Sequence, residues 1–214
     1  AATVSVDGDT GLTPGLNTVT VTVTAEDGTV AVYTVFVDVQ LSSDTSLFEF
    51  SVDGTDVVDG QTVTAAPGTD AVDVFATPTF DAATVSVDGD TGLTAGDNVV
   101  TVTVTAEDGT VAVYTVTVNV PLSNDTSLFE FSVDGTDVVD GQTITAAPGT
   151  DAVDVFATPT FDAATVSVDG DTGLTPGLNT ITVTVTAEDG TVATYTVYVD
   201  VQLSSDTSLF EFSV

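Results

Sequence analysis

Between Thr18 and Val39 the chain alternates polar and apolar residues with few interruptions. Val19, Val21 and Val23 stand between Thr18, Thr20, Thr22 and Thr24, and Tyr33, Val35, Val37 and Val39 stand between Thr34, Phe36 and Asp38. A period of two places one set of side chains on each face of an extended strand. The same pattern recurs along the chain and predicts strands over 46–52 (SLFEFSV), 61–65 (QTVTA), 70–77 (DAVDVFAT), 83–87 (ATVSV), 98–106 (NVVTVTVTA) and 111–120 (VAVYTVTVNV). The stretches between them, DGTDVVDG, APGT, TPTFD, DGDTGLTAGD and EDGT, are rich in Gly, Asp and Pro, as turns require. Glu107-Asp108-Gly109-Thr110 joins the last two strands as a hairpin. No segment carries a 3.6-residue period or a helix-start pattern. Short strands at this density predict an all-β, immunoglobulin-like β-sandwich.

The alternation itself repeats. AATVSVDGDTGLT begins at Ala1, Ala82 and Ala163, a spacing of 81 residues. The first two copies differ at 8 of 81 positions, and the third differs from the first at 3 of its 52. A period of this length suits an autonomous domain rather than a solenoid coil. The expectation is therefore tandem immunoglobulin-like sandwiches with an 81-residue repeat. It places a partial domain at 1–41 holding C-terminal strands, complete domains at 42–122 and 123–203, and the first strand of a further domain at 204–214. Two chains joined head to tail would still lack 29 residues of a period, so strand exchange at the ends does not complete a domain. The chain reads as a window on a longer repetitive protein.

Differences between copies agree with the strand reading. In the last strand the variable positions are Val32, Phe36, Asp38 and Gln40, which become Thr194 and Tyr198 in the third copy and Thr117, Asn119 and Pro121 in the second. All share one parity, hence one face. The other parity, Tyr33, Val35, Val37 and Val39, is unchanged, as a core face should be.

Composition then removes whole classes of function. The chain has no Lys, Arg, His, Cys, Met or Trp, against 33 Asp and Glu, for a formal net charge of −33. Nucleic-acid binding needs cations against phosphates, and an anionic membrane surface repels such a chain. General acid–base or nucleophilic catalysis finds no His, Lys or Cys, so the chain is not expected to be an enzyme. Disulfides are excluded, which leaves packed cores, and bound cations beside them, as the sources of stability.

Carboxylates are the remaining chemistry, and Ca²⁺ is the cofactor they would take. Asp7/Asp9, Asp88/Asp90 and Asp169/Asp171 sit in the DGDTG loop, where alternate Asp residues can turn two carboxylates to one cation. The loop lacks the third Asp and the Glu of an EF-hand, and turn chemistry alone accounts for it. Asp53, Asp56 and Asp59, repeated as Asp134, Asp137 and Asp140, place three carboxylates in seven residues; a solvated acidic loop is the plainer reading. At the junctions stand Asp44, Asp125 and Asp206, followed by Glu49, Glu130 and Glu211. Asn124-Asp125-Thr126 is a glycosylation sequon where the other copies have Ser. Phe36 and Tyr198, on the outward parity, are candidates for lateral contact. The Thr ladders offer a second face to a glycan or to ice, although Thr is also an ordinary outward strand residue.

The stretch NTITVTVTAEDGTVATYTVYV (179–199), with SLFEFSVDG and ATVSVDG, resembles the bacterial cadherin-like β-sandwich repeat family. The resemblance spans each 81-residue period and departs from the family at DGDTGLTPG, which is short. It implies secreted or cell-surface sandwich modules of large bacterial proteins, serving as spacers or adhesive units. Three functions follow as expectations: a stalk or filament whose partners are neighbouring copies of itself, an adhesin array for Ca²⁺, glycan or ice, and a self-assembling filament subunit.

Overall fold

The computed structural model describes residues 1–208. The chain is all-β, with no helix among the described residues. It divides into two compact units, one of Ala1–Ala65 with Thr69–Val120, the other of Ala66–Gly68 with the chain from Pro121 onward.

The first unit begins with β1 (Thr3–Asp7), β2 (Gly15–Thr24) and β3 (Val30–Val39), an antiparallel three-stranded sheet in that order. A complete sandwich follows: β4 (Leu47–Val52), β5 (Thr55–Asp56), β6 (Gln61–Thr64), β7 (Val74–Pro78), β8 (Thr84–Asp88), β9 (Gly96–Thr105) and β10 (Val111–Val120). Its smaller sheet has the order β5-β4-β7 and its larger one β6-β10-β9-β8. The second unit repeats this sandwich with β11 (Leu128–Val133), β12 (Thr136–Asp137), β13 (Thr143–Ala146), β14 (Val155–Pro159), β15 (Thr165–Asp169), β16 (Gly177–Thr186) and β17 (Val192–Val201), in sheets β12-β11-β14 and β13-β17-β16-β15.

The hairpins obey the alternation. Thr18 pairs with Phe36, Val99 with Thr117 and Thr180 with Tyr198, one register in three copies. In the complete sandwich the inward set Val100, Val102, Val104, Val116, Val118 and Val120 forms one cluster with Phe50, Val52, Val57 and Val72 of the facing half. Burying each of those valines contributes about 1.5–3 kcal/mol. The parallel pairing of β6 with β10 and of β13 with β17 closes one edge of each large sheet.

Three local features depart from simple alternation. The stretch 70–73, expected as the start of a strand, lies outside β7. Instead Val72 donates its amide to the Asp90 carbonyl at 2.9 Å, and Leu93 donates to that of Asp70 at 2.9 Å, so this stretch pairs with the DGDTG loop. Thr55–Asp56 forms a two-residue strand the alternation does not predict, reached through the tight turn Asp53-Gly54 with φ of +47° and +73°. Two successive positive φ values at Asp-Gly are the mark of a type I′ hairpin. Finally, β4 slips by one residue against β7 between Leu47 and Glu49. The extra residue is Phe48, which such a bulge turns outward, and β11 repeats the slip between Leu128 and Glu130.

Candidate functional site

The most elaborate polar arrangement in each unit is the connection that leads into a sandwich. Residues 40–46 carry the chain from β3 to β4, and the β9–β10 hairpin tip holds them. The Ser42 amide donates to Glu107 Oε2 at 3.1 Å, and the Asp108 amide donates back to the Ser42 carbonyl at 3.0 Å. Tyr114 reaches from β10 to donate its hydroxyl to the Thr45 carbonyl at 2.9 Å, its ring edge-on to Phe50 at 6.3 Å.

Asp44 organises the remainder. It accepts the Ser46 hydroxyl at 2.6 Å and the Ser46 amide at 2.9 Å, and the Ser46 hydroxyl oxygen in turn accepts from the Thr79 hydroxyl at 2.9 Å. These donors, the Ser46 hydroxyl first, hold the Asp44 carboxyl below its ordinary value of 3.8. The second unit reproduces every element. Ser123 donates to Glu188 at 3.0 Å, the Asp189 amide returns to the Ser123 carbonyl at 3.0 Å, and Tyr195 donates to the Thr126 carbonyl at 3.0 Å. Asp125 accepts the Ser127 hydroxyl at 2.6 Å and is lowered by the same cause. Asp206, lowered likewise, accepts the Ser208 amide at 2.7 Å.

The repeated carboxylates therefore meet backbone amides and hydroxyls. Among the junction acids, Asp44, Asp125 and Asp206 act as local caps; Glu49 and Glu130 are exposed on β4 and β11, and Glu211 lies outside the described residues. Asp53 accepts the Asp73 amide at 2.8 Å within the small-sheet half, whereas Asp59 accepts the Thr115 amide at 2.8 Å on β10 of the large sheet. Asp56 is exposed on β5. The loop thus sends its carboxylates to different sheets. Asp134 accepts the Asp154 amide at 2.8 Å and Asp140 the Thr196 amide at 2.7 Å, with Asp137 exposed on β12.

In the DGDTG loop, Asp88 and Asp169 end their strands exposed, while Asp90 and Asp171 are half-buried, their carbonyls engaged by Val72 and Val153. Asp7 and Asp9 are both exposed in the first copy. Among the described residues no group of three or more acidic side chains converges to hold a metal ion. Gly89 explains the loop's composition in part: its φ is +83°, and a Cβ there would stand 2.6 Å from the Val99 carbonyl oxygen.

Of the outward aromatics, Phe36 is 64% exposed, while Tyr198 is half-buried in the middle of its sheet. Asn124 is exposed on the connection into β11. Sequence reasoning did not single out Phe48 and Phe129, which are 80% and 81% exposed because the bulges turn them out. Nor did it single out Glu107 and Glu188. Their signal was present: AEDGT recurs in every hairpin, and a Ser recurs at 42, 123 and 204.

No family model matches the chain, and no characterised protein matches it in sequence. Among solved structures, the human desmocollin-1 ectodomain pairs with 90% of this chain at 12% identity and a TM-score of 0.30. The extracellular domain of protocadherin γB4 pairs with 87% at 14% identity and 0.30, and the fibronectin(III)-like modules of Clostridium thermocellum CbhA with 77% at 14% identity and 0.24. The chain spans 48% of the desmocollin chain, 39% of the protocadherin chain and the whole of the CbhA chain. Likenesses of this degree assign neither ligand nor partner to this chain.

Proposed function

We propose that the chain is a non-catalytic structural spacer of the extracellular space, a run of sandwich domains that serves as part of a stalk or filament. One observation carries the reading. The connections into β4 and into β11 are each tied to the sandwich that follows by the same serine, glutamate, tyrosine and aspartate contacts. A connection held by its own sandwich is a defined link and not a free tether, which is what a part that sets distance requires.

Composition supports the same reading. Near-identical sandwiches in one chain are prone to exchange strands, and a surface of one sign opposes misassociation between copies. Every contact of the connection uses a carboxylate, hydroxyl or amide, so the link is built without a basic side chain. Calcium at the Asp-rich loops is not needed for this role.

Small-angle scattering tests the proposal on this chain and on versions lengthened by one and two repeats. A constant increase in maximum dimension per repeat is the expected result. An increase that falls away with each added repeat would mean that the domains fold back on one another, and the spacer reading would be lost.

A further inference from the structure

The bulge that turns Phe48 outward stands at an open stretch of sheet edge. β5 pairs with β4 only at Ser51 and Val52, and beyond them the Val57 amide donates to the Phe50 carbonyl at 2.9 Å. β7 holds the other side of β4. Among the described residues no strand lies along Leu47–Glu49 on the β5 side. A groove of 460 Å³ runs there, lined by Leu47, Phe48, Glu49, Phe50, Asp56 and Val57. The matching six residues of the second unit line its counterpart of 440 Å³. Phe48 is 80% exposed and Phe129 81%. One of these sandwiches precedes a complete copy in the chain and the other follows one, so the exposed ring is a property of the repeat itself.

The acids of the groove differ from those around it. Asp53 and Asp59 are taken up by backbone amides. Glu49 and Asp56 are exposed, and among the described residues neither carboxylate accepts a hydrogen bond. An aromatic ring, two free carboxylates and an unpaired strand edge thus share one groove, twice in the chain.

We propose that this groove binds an extended basic segment of a partner protein, which adds to the open edge of β4 and sets a Lys or Arg side chain against Phe48, Glu49 and Asp56. Main-chain hydrogen bonds to Leu47–Glu49 anchor such a segment. The ring covers the aliphatic stem and attracts the cation, and the carboxylates complete the charge match. Charge complementarity selects this occupant. The chain carries a formal charge of −33 and no Lys or Arg, so a second copy brings only like charge. A glutamate beside a bulge is also a device that keeps identical edges apart. A neutral glycan leaves the strand edge unpaired. Because the groove recurs with the repeat, weak single contacts add along the chain. The inference goes beyond the spacer reading, and scattering that refuted the spacer would leave the groove as it is.

The test titrates a hexapeptide of alternating Lys and Val into the intact chain at about 0.15 M salt, where distant charges are screened, and follows it by NMR. Amide and ring shifts are expected at Leu47–Glu49 and at Leu128–Glu130 together. Phe48→Ala combined with Phe129→Ala should weaken binding about tenfold. Glu49→Gln combined with Glu130→Gln should weaken it as well, and all four side chains are exposed, so the fold is kept. Asp88→Asn with Asp169→Asn, at exposed strand ends of the large sheets, should leave binding unchanged. The same peptide with a central Pro keeps most of its charge but loses strand pairing, and should bind about tenfold more weakly. Equal binding of the Pro peptide, or shifts spread over the acidic surface with no response to the Phe variants, overturns the proposal. So does equal binding of a Glu–Val peptide. Shifts of Phe48 and Phe129 with oligosaccharides and none with the basic peptide would overturn it in favour of a glycan site.

Discussion

Val35 and Val116 occupy the same place in the repeat, in the same hairpin, in the same register, yet one is open and the other wholly buried. The difference between β1–β3 and β8–β10 lies in what lies against them: a second sheet across the inward face and β6 along the edge of β10. The hairpin forms in both places because its requirements are local: alternating β-branched residues, an AEDGT turn and cross-strand pairs. Burial is not local. It appears only where Ser46–Asp81, or its copy in the second unit, lies across the inward face. Two regions of nearly one sequence thus separate what a hairpin needs from what a core needs.

The sharpest way to break the comparison is to put a charge at the shared position. Val116→Asp leaves an unpaired carboxylate inside the core and is expected to unfold that sandwich, at a cost above about 3 kcal/mol. Val35→Asp, on the open face, is expected to change stability by no more than about 0.5 kcal/mol. Denaturant unfolding followed by hydrogen exchange at each hairpin reads both. Equal losses would mean that the open face is covered in solution.

A smaller loss should fall on both regions alike. Gly8 and Gly89 have φ of +79° and +83°, and a Cβ at either would stand about as close to a carbonyl oxygen of the next strand, 2.5 Å from that of Thr18 and 2.6 Å from that of Val99. Gly8→Ala and Gly89→Ala are each expected to cost more than about 1 kcal/mol, because the strain arises within the β1–β2 or β8–β9 pair. Tolerance of Gly8→Ala with loss at Gly89 would show that the second sheet holds this loop rigid.

The connection separates the regions again. Glu107→Ala removes the acceptor of the Ser42 amide and is expected to cost about 1 kcal/mol. Glu26, its counterpart, is exposed, and Glu26→Ala should cost nothing measurable. Matching effects at the two sites, by thermal unfolding, would remove the connection's grip as an explanation.

The least effect is expected from acid at the hairpin turns. Asp27 and Asp108 are both held below 3.8, first by the amide hydrogen bond from Thr29 or Thr110. A depressed carboxyl pKa in the folded state contributes stability that is full above the unfolded value and lost as pH falls through the folded one. Both turns should therefore loosen together below pH 3.8, and NMR titration of the two carboxyls should give the same midpoint. A midpoint lowered at Asp108 but ordinary at Asp27 would show that the second sheet orders the turn.

Much of this was legible in the chain. The parity of Val100, Val102 and Val104 against Thr101, Thr103 and Thr105 names the inward face, and the structure buries that set. The hairpin was legible because Asp-Gly between two alternating runs allows few other geometries. The small sheet was harder. Phe48 and Phe50 share a parity and should face one way, but the bulge separates them, and a bulge depends on how β7 lies alongside. The carboxylates of Asp53 and Asp59 are neighbours in sequence, yet each follows a backbone amide on a different sheet.

The repeat, the strands of each hairpin, their inward and outward faces and the absence of cationic chemistry are written in the chain. These follow from side-chain size, charge and the two-residue period, which are properties of a few adjacent residues. Tertiary packing settled where β4 slips and which amides take up the acidic side chains. The contacts of Asp53, Asp59 and Glu107 reach partners 20, 56 and 65 residues away, and apolar burial rewards such meetings only once both sheets are in place.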